Sequence, residues 1–449
     1  MAKNSGFQIR HTPEEWSEWV ELLTAVLHSR TRWRFPIVLL GLLFARGRRT
    51  VTTWLRAQGI STHYEDYYYF LASLGRKTEP LATELLRLLL AKLPIGNRIT
   101  LAIDDTPTKR YGPHVEGCGV HHNPTTSASD SDFLYGHIWV TIAVVLRHPL
   151  WQMIGLPLRA LMYVRQKDMP KIATRCDWEF RTKLQLAVEL VKWAVKLLGP
   201  LGKSMWLVFD GAYANRPIFR EVLPLNVTVV SRLRKDSALC TVPPPRPPGY
   251  RGGTRKYGKE KISLVKRAAH RKGWQTIDVV LYGGEKATKT YKTFLATWRP
   301  VGGIIRVVIV READHCEFFF CSDPNASVAE ILECFASRTA IEQVFHDIKE
   351  VWGAGQQQVR NLFTNVACFH LNLWMHTLVE LWAWNKSADQ IRNRNASPWD
   401  TPDRRPSHAG RRKALCRKCL QIELLRVHKK HQISGPIKKL INAFALLAV

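Results

Sequence analysis

Residues 99–106 have the sequence ITLAIDDT, a short run of aliphatic and β-branched residues that ends in two aspartates and a threonine. A second run, WLVFDGAY at residues 206–213, has the same form, with apolar residues followed by Asp210 and a glycine. Short apolar runs bounded by turn residues are typical of buried strands. Because strand ends in an α/β sheet face the crevice where ligands bind, these runs predict that Asp105 and Asp210 end two strands and lie together at that edge.

The segments around these two runs predict an α/β fold. Gly136–Arg147 and Asn226–Val230 have the composition of further strands, and Asp177–Leu198 has the apolar periodicity of a helix. Strands that alternate with helices favour a sheet layered with helices. We assign residues 98–231 and 303–360 to this α/β unit.

A strongly basic segment interrupts the α/β unit. Residues 232–272 contain thirteen lysines and arginines against two acids, and PPPRPPG at 243–249 cannot form a core element. Strand-like runs follow it, which predicts an inserted basic β-unit over residues 232–302 with a long loop. The alternative for Thr241–Gly258 is a solvated, disordered loop. The cations that we expect to contact DNA in this unit are Arg251, Arg255 and Lys256.

The first part of the chain, residues 1–97, has helical patterns throughout. Thr12-Pro13-Glu14-Glu15 has the form of a capping box, which predicts that a helix starts there. Residues 46–50, RGRRT, resemble the turn of a helix-turn-helix, with Arg48 and Arg49 as candidate DNA contacts. The alternative is a basic helical hairpin whose apolar face only packs.

Charge and composition favour a polyanionic partner. The 449 residues include 66 Lys and Arg against 37 Asp and Glu, giving a net charge of +29. Phosphate neutralisation by such an excess favours nucleic-acid binding, while a membrane surface is the competing polyanion. The longest apolar runs, Ile138–Leu146 and Leu373–Trp384, are too short or too polar to span a bilayer, and the first ten residues lack a secretory pattern. Nine cysteines, an odd number, fit a reducing cytoplasm better than a disulfide framework.

A third carboxylate lies between cations in Ser327–Gly353, a segment predicted to be helical, in which Ser327 and Glu330 have the spacing of a capping box. The pattern Phe335-x2-Arg338-x3-Glu342-x6-Lys349 places Arg338, Glu342 and Lys349 on one helix face. A carboxylate that ligates metal, with two cations that hold phosphates, suits a protein that acts on DNA. Taken alone, Arg338 and Glu342 also fit a solvated surface ion pair.

Together these motifs resemble the DDE transposases of bacterial insertion sequences, in the branch with a Y-x2-R-x3-E-x6-K signature. Asp104-Asp105-Thr106 is similar to its first-acid motif, in which the aspartate directly before threonine is the ligand, and residues 209–213 are similar to the second. The segment 353–360 resembles the glycine-rich stretch that follows the last acid. Phe335 replaces the signature tyrosine, which leaves only stacking or packing there. The resemblance spans about Ile99 to Arg360.

The resemblance implies an RNase H-like catalytic domain and a reaction. Asp105, Asp210 and Glu342 are then the catalytic triad, holding two Mg²⁺ or Mn²⁺ ions about 4 Å apart. The enzyme cuts phosphodiesters at transposon ends and joins the freed 3′-hydroxyl to target DNA. Its partners are the terminal inverted repeats and target DNA, bound by a homodimer on paired ends in the bacterial cytoplasm, at the nucleoid. Arg338, Lys349 and Lys109 are expected to contact DNA.

Two points stay open in the sequence. Asp104 adjoins Asp105, and successive strand residues face opposite sides, so only one of the two points into the site. The motif favours Asp105. An RNase H-like nuclease or resolvase without strand transfer, or a non-catalytic DNA-binding derivative, are the alternative functions; the signature spacing favours a transposase, and retention of three acids argues against the derivative.

The C-terminal region, residues 361–449, is predicted to be helical and basic, and Arg404–Lys439 carries twelve cations against one acid. Four of its residues have zinc-ligand types: Cys416, Cys419, His428 and His431. Their eight-residue gap is short for a zinc finger and the stretch has helical periodicity, so we assign no zinc site. Cys118, His121 and His122 follow the first acid and are better explained by DNA contact.

Overall fold

The computed structural model describes residues 11–123, 131–246, 252–392 and 405–427, with single positions 398, 437 and 441. The helices in these residues are α1 (Glu14–Thr24), α2 (Arg34–Phe44), α3 (Val51–Ala57), α4 (Glu65–Gly75), α5 (Thr78–Lys92), α6 (Lys183–Leu198), α7 (Arg216–Val222), α8 (Leu264–Ala269), α9 (Val328–Ser337), α10 (Thr339–Glu350), α11 (Leu362–Ala383), α12 (Ala388–Ile391) and α13 (His408–Val427). The strands are β1 (Arg98–Lys109), β2 (Gly119–His122), β3 (Phe133–His148), β4 (Gln152–Tyr163), β5 (Ser204–Phe209), β6 (Val227–Arg232), β7 (Leu239–Cys240), β8 (Lys261–Ile262), β9 (Gln275–Val280), β10 (Lys286–Trp298), β11 (Gly303–Arg311) and β12 (Cys316–Cys321).

All twelve of these strands form one sheet. Its main order is β2-β3-β1-β5-β6-β12-β11-β10-β7-β8, with β4 beside β3 and β9 beside β10. The strands β1, β5 and β6 are parallel to one another, and the other pairs are antiparallel. The predicted α/β class is confirmed, and the large central sheet with its helices is consistent with an RNase H-like fold. The division into domains, including the inserted unit, stays a prediction.

Strand β1 is longer than the sequence predicts, and its two aspartates therefore lie within the strand rather than at its end. Its parallel pairing with β5 ends at Ile103 and Phe209, but antiparallel pairing with β3 continues to Lys109. The prediction that Asp105 ends a strand is therefore wrong: the aspartates lie inside β1, where its parallel partner stops. Asp210 does follow the last residue of β5.

The two faces of the sheet carry different helices. On one face, Phe219 of α7 contacts Phe209 and Phe320. On the other, Phe335 of α9 contacts Phe319, the residue next to Phe320 on β12. Because successive strand residues project to opposite faces, α7 and α9 lie on opposite sides of the sheet.

Helix α11 forms the centre of the core. Nearly all of its residues are buried, and its apolar residues are distributed around the whole helix, which is the pattern of a helix enclosed by other elements. Trp374 and Thr377 donate hydrogen bonds to backbone carbonyls of β4. Helix α4 packs against α11 so closely that the backbone of Phe363 fills the space a side chain at Gly75 needs. The N-terminal helices therefore share one core with the sheet.

Two helix predictions need correction. The predicted capping box at Thr12 is absent: α1 begins at Glu14 after Pro13, with no side-chain cap, and the Thr12 hydroxyl contacts Ser17 instead. The predicted single helix over 327–353 is two helices, α9 and α10, which meet at Arg338. The capping box of Ser327 with Glu330 is confirmed.

The described part of the chain has no helix with the length and apolar character needed to cross a bilayer.

The predicted C-terminal helix is present as α13, where Cys416 and Cys419 are buried. Burial raises the pKa of the Cys416 thiol to about 11, and its Sγ lies 3.4 Å from the carbonyl oxygen of Leu43. His428 and His431 lie outside the described residues.

Candidate active site

Strand register decides which of the acidic residues share a face. Ala102 pairs with Val208 across the parallel strands. Each lies two residues before an aspartate, so Asp104 and Asp210 project to the same side of the sheet. Asp210 keeps an extended backbone, with φ of −71° and ψ of 157°, so it continues the alternation of β5. Asp105 projects to the opposite side.

The helix that carries Glu342 lies on the side of Asp104. The guanidinium of Arg338 donates to Asp104 Oδ2 at 2.8 Å and to Glu342 Oε1 at 2.6 Å. One cation therefore joins an acid of β1 to an acid of α10. The Arg338 side chain is 16% exposed, while that of Glu342 is 46% exposed and faces solvent.

Asp105 has a different set of partners, on the side of α6 and α7. Lys183, the first residue of α6, donates to Asp105 Oδ2 at 2.7 Å. The hydroxyl of Tyr213, just after β5, donates to Asp105 Oδ1 at 2.8 Å. Burial, followed by the negative charge of Asp105, raises the pKa of Tyr213 well above its ordinary value, so the phenol stays protonated and keeps donating.

The environment of Asp104 disfavours the ionised form of its carboxyl group. Burial raises the pKa of Asp104 from its ordinary 3.8 to about 7, and Asp105 and Asp210 add to this shift while Arg338 opposes it. A raised pKa of this size means that the ionised group lacks full compensation from the protein alone. A bound divalent cation would stabilise the ionised form of Asp104 beside the other acids.

Phe335 stacks rather than hydrogen-bonds, as expected from its replacement of tyrosine. The guanidinium carbon of Arg338 lies 5.6 Å from the centre of its ring, and that of Arg232 lies 5.2 Å from it. The ring also contacts Phe319 of β12. Phe335 therefore supports two cations at the edge of the acidic cluster.

A cleft of about 670 Å³ lies beyond the acids along β1 and α10. It is lined by Lys109 from the end of β1, Lys349 from α10, Arg48 from the α2–α3 turn, and Gly355 from the segment after α10. Lys349 is seven residues after Glu342, about 10 Å along the helix. Lys349 makes no hydrogen bond or ion pair within the described residues, and burial lowers its pKa.

The two arginines of the α2–α3 turn have different environments. Arg48 is exposed and lines the cleft. Arg49 is half-buried against the glycine-rich segment: its backbone N–H donates to Gln356 Oε1 at 2.8 Å, and its carbonyl accepts from Gln357 at 3.3 Å. Burial, with a contribution from Arg412, lowers the pKa of Arg49 to about 10.

The basic residues after β6 line a separate cavity of about 1230 Å³. Its cationic lining residues include Lys235, Lys261, Lys266, Lys272 and Arg299. The predicted DNA contacts Arg255 and Lys256 are exposed on the same part of the chain, and Arg251 lies outside the described residues.

A buried histidine cluster is the one group of three metal-type ligands close together in the described residues. Ligand atoms of Asp347, His376 and His408 lie within 4.8 Å of one another. Both ring nitrogens of His408 are already engaged, by the Trp352 indole at 2.8 Å and by Glu380 at 2.5 Å. A metal at His408 leaves the Trp352 N–H without an acceptor, so we interpret the cluster as a hydrogen-bond network joining α10, α11 and α13.

Comparison of the sequence with known protein families finds a match over more than half of the chain. The family described as DDE superfamily endonuclease matches residues 21–300, which is more than half of the chain. The chain belongs to the DDE superfamily endonucleases. A search of curated proteins finds no match. The matched range includes Asp104, Asp105 and Asp210 and ends before Glu342.

Membership in the DDE superfamily endonucleases supports nuclease activity on DNA. The expectation that the chain is related to the DDE transposases is confirmed at the level of the superfamily, and the finer signature on α10 stays a prediction. The individual site residues, including the choice between Asp104 and Asp105, also stay predictions.

The donor set of this endonuclease fits hard divalent cations. Asp104, Asp210 and Glu342 offer only carboxylate oxygens, the ligands that Mg²⁺ and Mn²⁺ prefer. The raised pKa of Asp104 indicates that the neighbouring cations do not fully compensate the buried charge of this one carboxylate. The superfamily is usually metal-dependent.

Sequence reasoning missed two residues that contact the acids. Tyr213 lies inside the motif FDGAY, so its position three residues after Asp210 was available as a signal. Lys183 had no such signal, because it reaches Asp105 from a helix 78 residues further along the chain.

Proposed function

We propose that this DDE superfamily endonuclease is a DNA transposase, which cuts at transposon ends and transfers the 3′-hydroxyl into target DNA. The observation that carries the proposal is the Arg338 guanidinium, which holds Asp104 and Glu342 together on the face that Asp210 shares. In this way Arg338 and Glu342, the cation and the acid of the signature motif, lie next to the acids of the strands. The cleft that continues from these acids supplies cations for a DNA strand.

Within the first-acid pair, we propose Asp104 as the catalytic residue, although the sequence motif favours Asp105. Asp104 shares Arg338 with Glu342, whereas Asp105 is held on the opposite face by Lys183 and Tyr213. An acid on that face cannot ligate the same ion as Glu342 without a rearrangement of β1. Asp105 is then a positioning residue: Lys183 and Tyr213 hold its carboxylate, and its backbone N–H donates to Asp104 Oδ1 at 2.8 Å.

The acids Asp104, Asp210 and Glu342 would hold two Mg²⁺ or Mn²⁺ ions. When bound, such ions supply activation of the attacking oxygen and charge stabilisation at the leaving oxygen of a phosphodiester. The chain's own residues position the substrate. Arg338 uses two of its five N–H donors on the carboxylates, so its other Nη donors are left for a phosphate. Lys349 and Lys109 bind phosphates further along the cleft, and two protomers hold paired ends.

The test is metal-dependent cleavage of transposon-end DNA by single-alanine variants. With Mn²⁺ and labelled end DNA, Asp104→Ala, Asp210→Ala and Glu342→Ala should abolish cutting while DNA binding remains, because a site with one ligand missing cannot hold both ions. Asp105→Ala should retain part of its activity. If Asp105→Ala is inactive and Asp104→Ala is active, the catalytic residue is Asp105, as the sequence motif predicts.

The same assay separates the alternative functions. Joining of the cut 3′-end to a target plasmid is expected of a transposase. Cutting of branched DNA without joining identifies a nuclease or resolvase, and binding without any cutting by the wild type identifies a non-catalytic derivative. Thermal melts of each variant show whether lost activity reflects lost folding.

A further inference from the structure

Helix α10 carries the proposed ligand Glu342 on its exposed side and a buried acid, Asp347, five residues further along. The other buried residues of this helix are apolar: Ala340, Ile341, Val344, Phe345 and Ile348. Apolar burial holds the helix on the sheet but is non-directional. Hydrogen bonds and ion pairs depend on distance and angle, so they select one rotation and one axial position. The polar contacts of Asp347 therefore influence where Glu342 lies.

The Asp347 carboxylate contacts a histidine of the central helix α11. Nε2 of His376 lies 3.5 Å from Asp347 Oδ2, and both side chains are buried. The other contacts of this carboxylate come from α10 itself, where Gln343 donates to Oδ1 at 3.1 Å and His346 lies 3.5 Å from the same atom. Among the described residues, His376 therefore makes the ion pair that ties Asp347 to another element.

The contact with His376 stabilises a buried charge on α10. Burial opposes ionisation of Asp347, but the hydrogen bond from His376, together with the nearby His408, outweighs it and lowers the pKa of Asp347 to about 2. The carboxylate is therefore ionised at neutral pH. A buried charge that loses its partner is strongly destabilised where it stands. Without His376, Asp347 is expected to move towards water and to displace α10.

The ring of His376 is held by a second histidine whose own orientation is fixed. The two imidazoles stack with centroids 4.1 Å apart and an angle of 17° between the planes. His408 accepts from the indole N–H of Trp352 at 2.8 Å and donates to Glu380 at 2.5 Å. Burial lowers the pKa of His408 to about 4, so its neutral ring keeps one donor and one acceptor. The stack therefore fixes the plane in which His376 meets Asp347.

Stability alone does not explain a histidine at position 376. Its Nδ1 is buried and has no hydrogen-bond partner in the part of the chain that the structure describes. Such an unpaired nitrogen is costly. Apolar side chains of similar volume often replace a buried ion pair without loss of stability. The pair of His376 and Asp347 is better explained by a requirement for one defined position of α10.

We propose that His376 is a positioning residue for the endonuclease: by holding Asp347, it fixes the position of α10 and so places Glu342 beside Asp104 and Asp210. This inference rests on the proposed function, because it takes Glu342 as a residue of the active site. His376 itself touches neither DNA nor the acids of the site.

A small displacement of α10 is enough to matter. Glu342 is five residues before Asp347 on the same helix, about 7.5 Å along its axis, so the two residues move together. A slip by one residue moves the helix by about 1.5 Å. Misplacement of reacting groups by about 1 Å can slow a reaction by about a hundredfold. The loss is therefore expected in the cleavage step and not in the binding of DNA.

The experiment compares three replacements of His376 in the full-length chain. His376→Gln keeps an N–H donor at about the reach of Nε2, whereas the shorter His376→Asn carries its amide only as far as Nδ1. His376→Phe keeps a ring to stack on His408 and removes the donor. The matched control is His370→Gln, which removes a buried histidine of the same helix that contacts Ala160 of β4 rather than α10.

Single-turnover cleavage is measured with saturating end DNA and Mn²⁺, and DNA affinity with Ca²⁺. Hydrogen–deuterium exchange of residues 339–350, thermal melts and zinc content are measured on the free protein. His376→Phe and His376→Asn should cut at least roughly tenfold more slowly, with unchanged DNA affinity and faster exchange in α10. His376→Gln and the control His370→Gln should cut and exchange as the wild type does.

Equal rates for His376→Gln and His376→Asn overturn the inference, because a role in packing alone does not distinguish the reach of the donor. Unchanged exchange of α10 in His376→Asn also overturns it. So does stoichiometric zinc in the wild type that is lost in His376→Asn, since the cluster is then a metal site. If His376→Phe fails to fold, the comparison of the Gln and Asn variants decides.

Failure of the inference is distinguishable from failure of the proposed function. A wild type that cuts DNA beside variants that cut equally well refutes the role of His376 alone. If the wild type cuts no DNA, the proposed function fails, and the exchange of α10 in the same variants still shows whether His376 holds this helix in place.

Discussion

Replacement of Arg338 by alanine separates a catalytic role from a structural one. The guanidinium makes two ion pairs, with Asp104 at 2.8 Å and with Glu342 at 2.6 Å. If these pairs only stabilise the fold, the variant should unfold more easily and still cut DNA. If they position the acids, the variant should fold normally and cut slowly.

The stability cost of Arg338→Ala follows from the exposure of its partners. Glu342 is 46% exposed, so its pair contributes at most about 1 kcal/mol. Asp104 is mostly buried, but its pKa is already about 7 with the arginine present. Without Arg338 the carboxyl takes up a proton near neutral pH, which limits the loss. We expect about 1–2 kcal/mol in total, which lowers Tm by only a few degrees in a chain of this size.

The rate should respond much more strongly. Loss of the group that holds Asp104 and Glu342 should slow single-turnover cleavage by at least roughly tenfold, which corresponds to about 1.4 kcal/mol at the transition state. Arg338→Lys should also be slow, because an ammonium lacks the planar fork that binds two carboxylates. The matched control is Arg98→Ala, which removes the ion pair with Glu330 at the other end of β1.

Cleavage is measured with end DNA and Mn²⁺, beside thermal melts of each variant. Near wild-type cutting by Arg338→Ala refutes the reasoning. So does a loss of activity that appears only where the variant is unfolded, or an equal loss in Arg98→Ala.

Three further predictions concern the cleft, the basic loop and the core. Lys349→Ala should weaken binding of end DNA and reduce its salt dependence, because an unpaired lysine in the cleft releases counterions when it meets phosphate; unchanged affinity and salt slope contradict this. Deletion of Thr241–Gly258 should likewise flatten the salt dependence, which gel-shift titrations at several salt concentrations can check. His370 is held neutral, since burial lowers its pKa to about 4, with one ring nitrogen bonded to the Val366 carbonyl and the other to the Ala160 N–H. Below about pH 6.5 the unfolded state binds more protons at this histidine than the folded state, so the free energy of unfolding should fall as the pH drops from 6.5 towards 4. In His370→Gln, the slope of the free energy of unfolding against pH, measured by urea denaturation, should be smaller by up to about 1.4 kcal/mol per pH unit.

Local patterns predicted the elements of the fold well and their lengths less well. The run ITLAI identified β1, but the strand continues through Asp104 and Asp105 because β3, which begins at Phe133, supplies hydrogen bonds as far as Lys109. Pairing between segments distant in sequence is not encoded in the run itself. The helical character of residues 1–97 was predicted as a whole, but the bounds of α4 and its packing against α11 were not.

The candidate site was predictable as a set of residues but not as a geometry. Alternation along β1 shows that Asp104 and Asp105 face opposite sides. Which side faces α10 depends on how the helices are distributed over the sheet, and no local pattern records that. The contacts of Arg338 and Lys183 carry that information, and both span long distances in sequence.

The docking of the α2–α3 turn on the segment after α10 fixes the distance between the N-terminal helices and the acids. Gln356 and Gln357 fasten the turn through its backbone, and Arg412 of α13 binds the last carbonyls of α2 from the other side. A DNA-binding module on a flexible tether finds its sequence without fixing where a distant nuclease cuts. Here, under the proposed function, the turn and the acids are held at a fixed separation. The DNA sequence recognised at the turn therefore determines which phosphodiester lies at the acids.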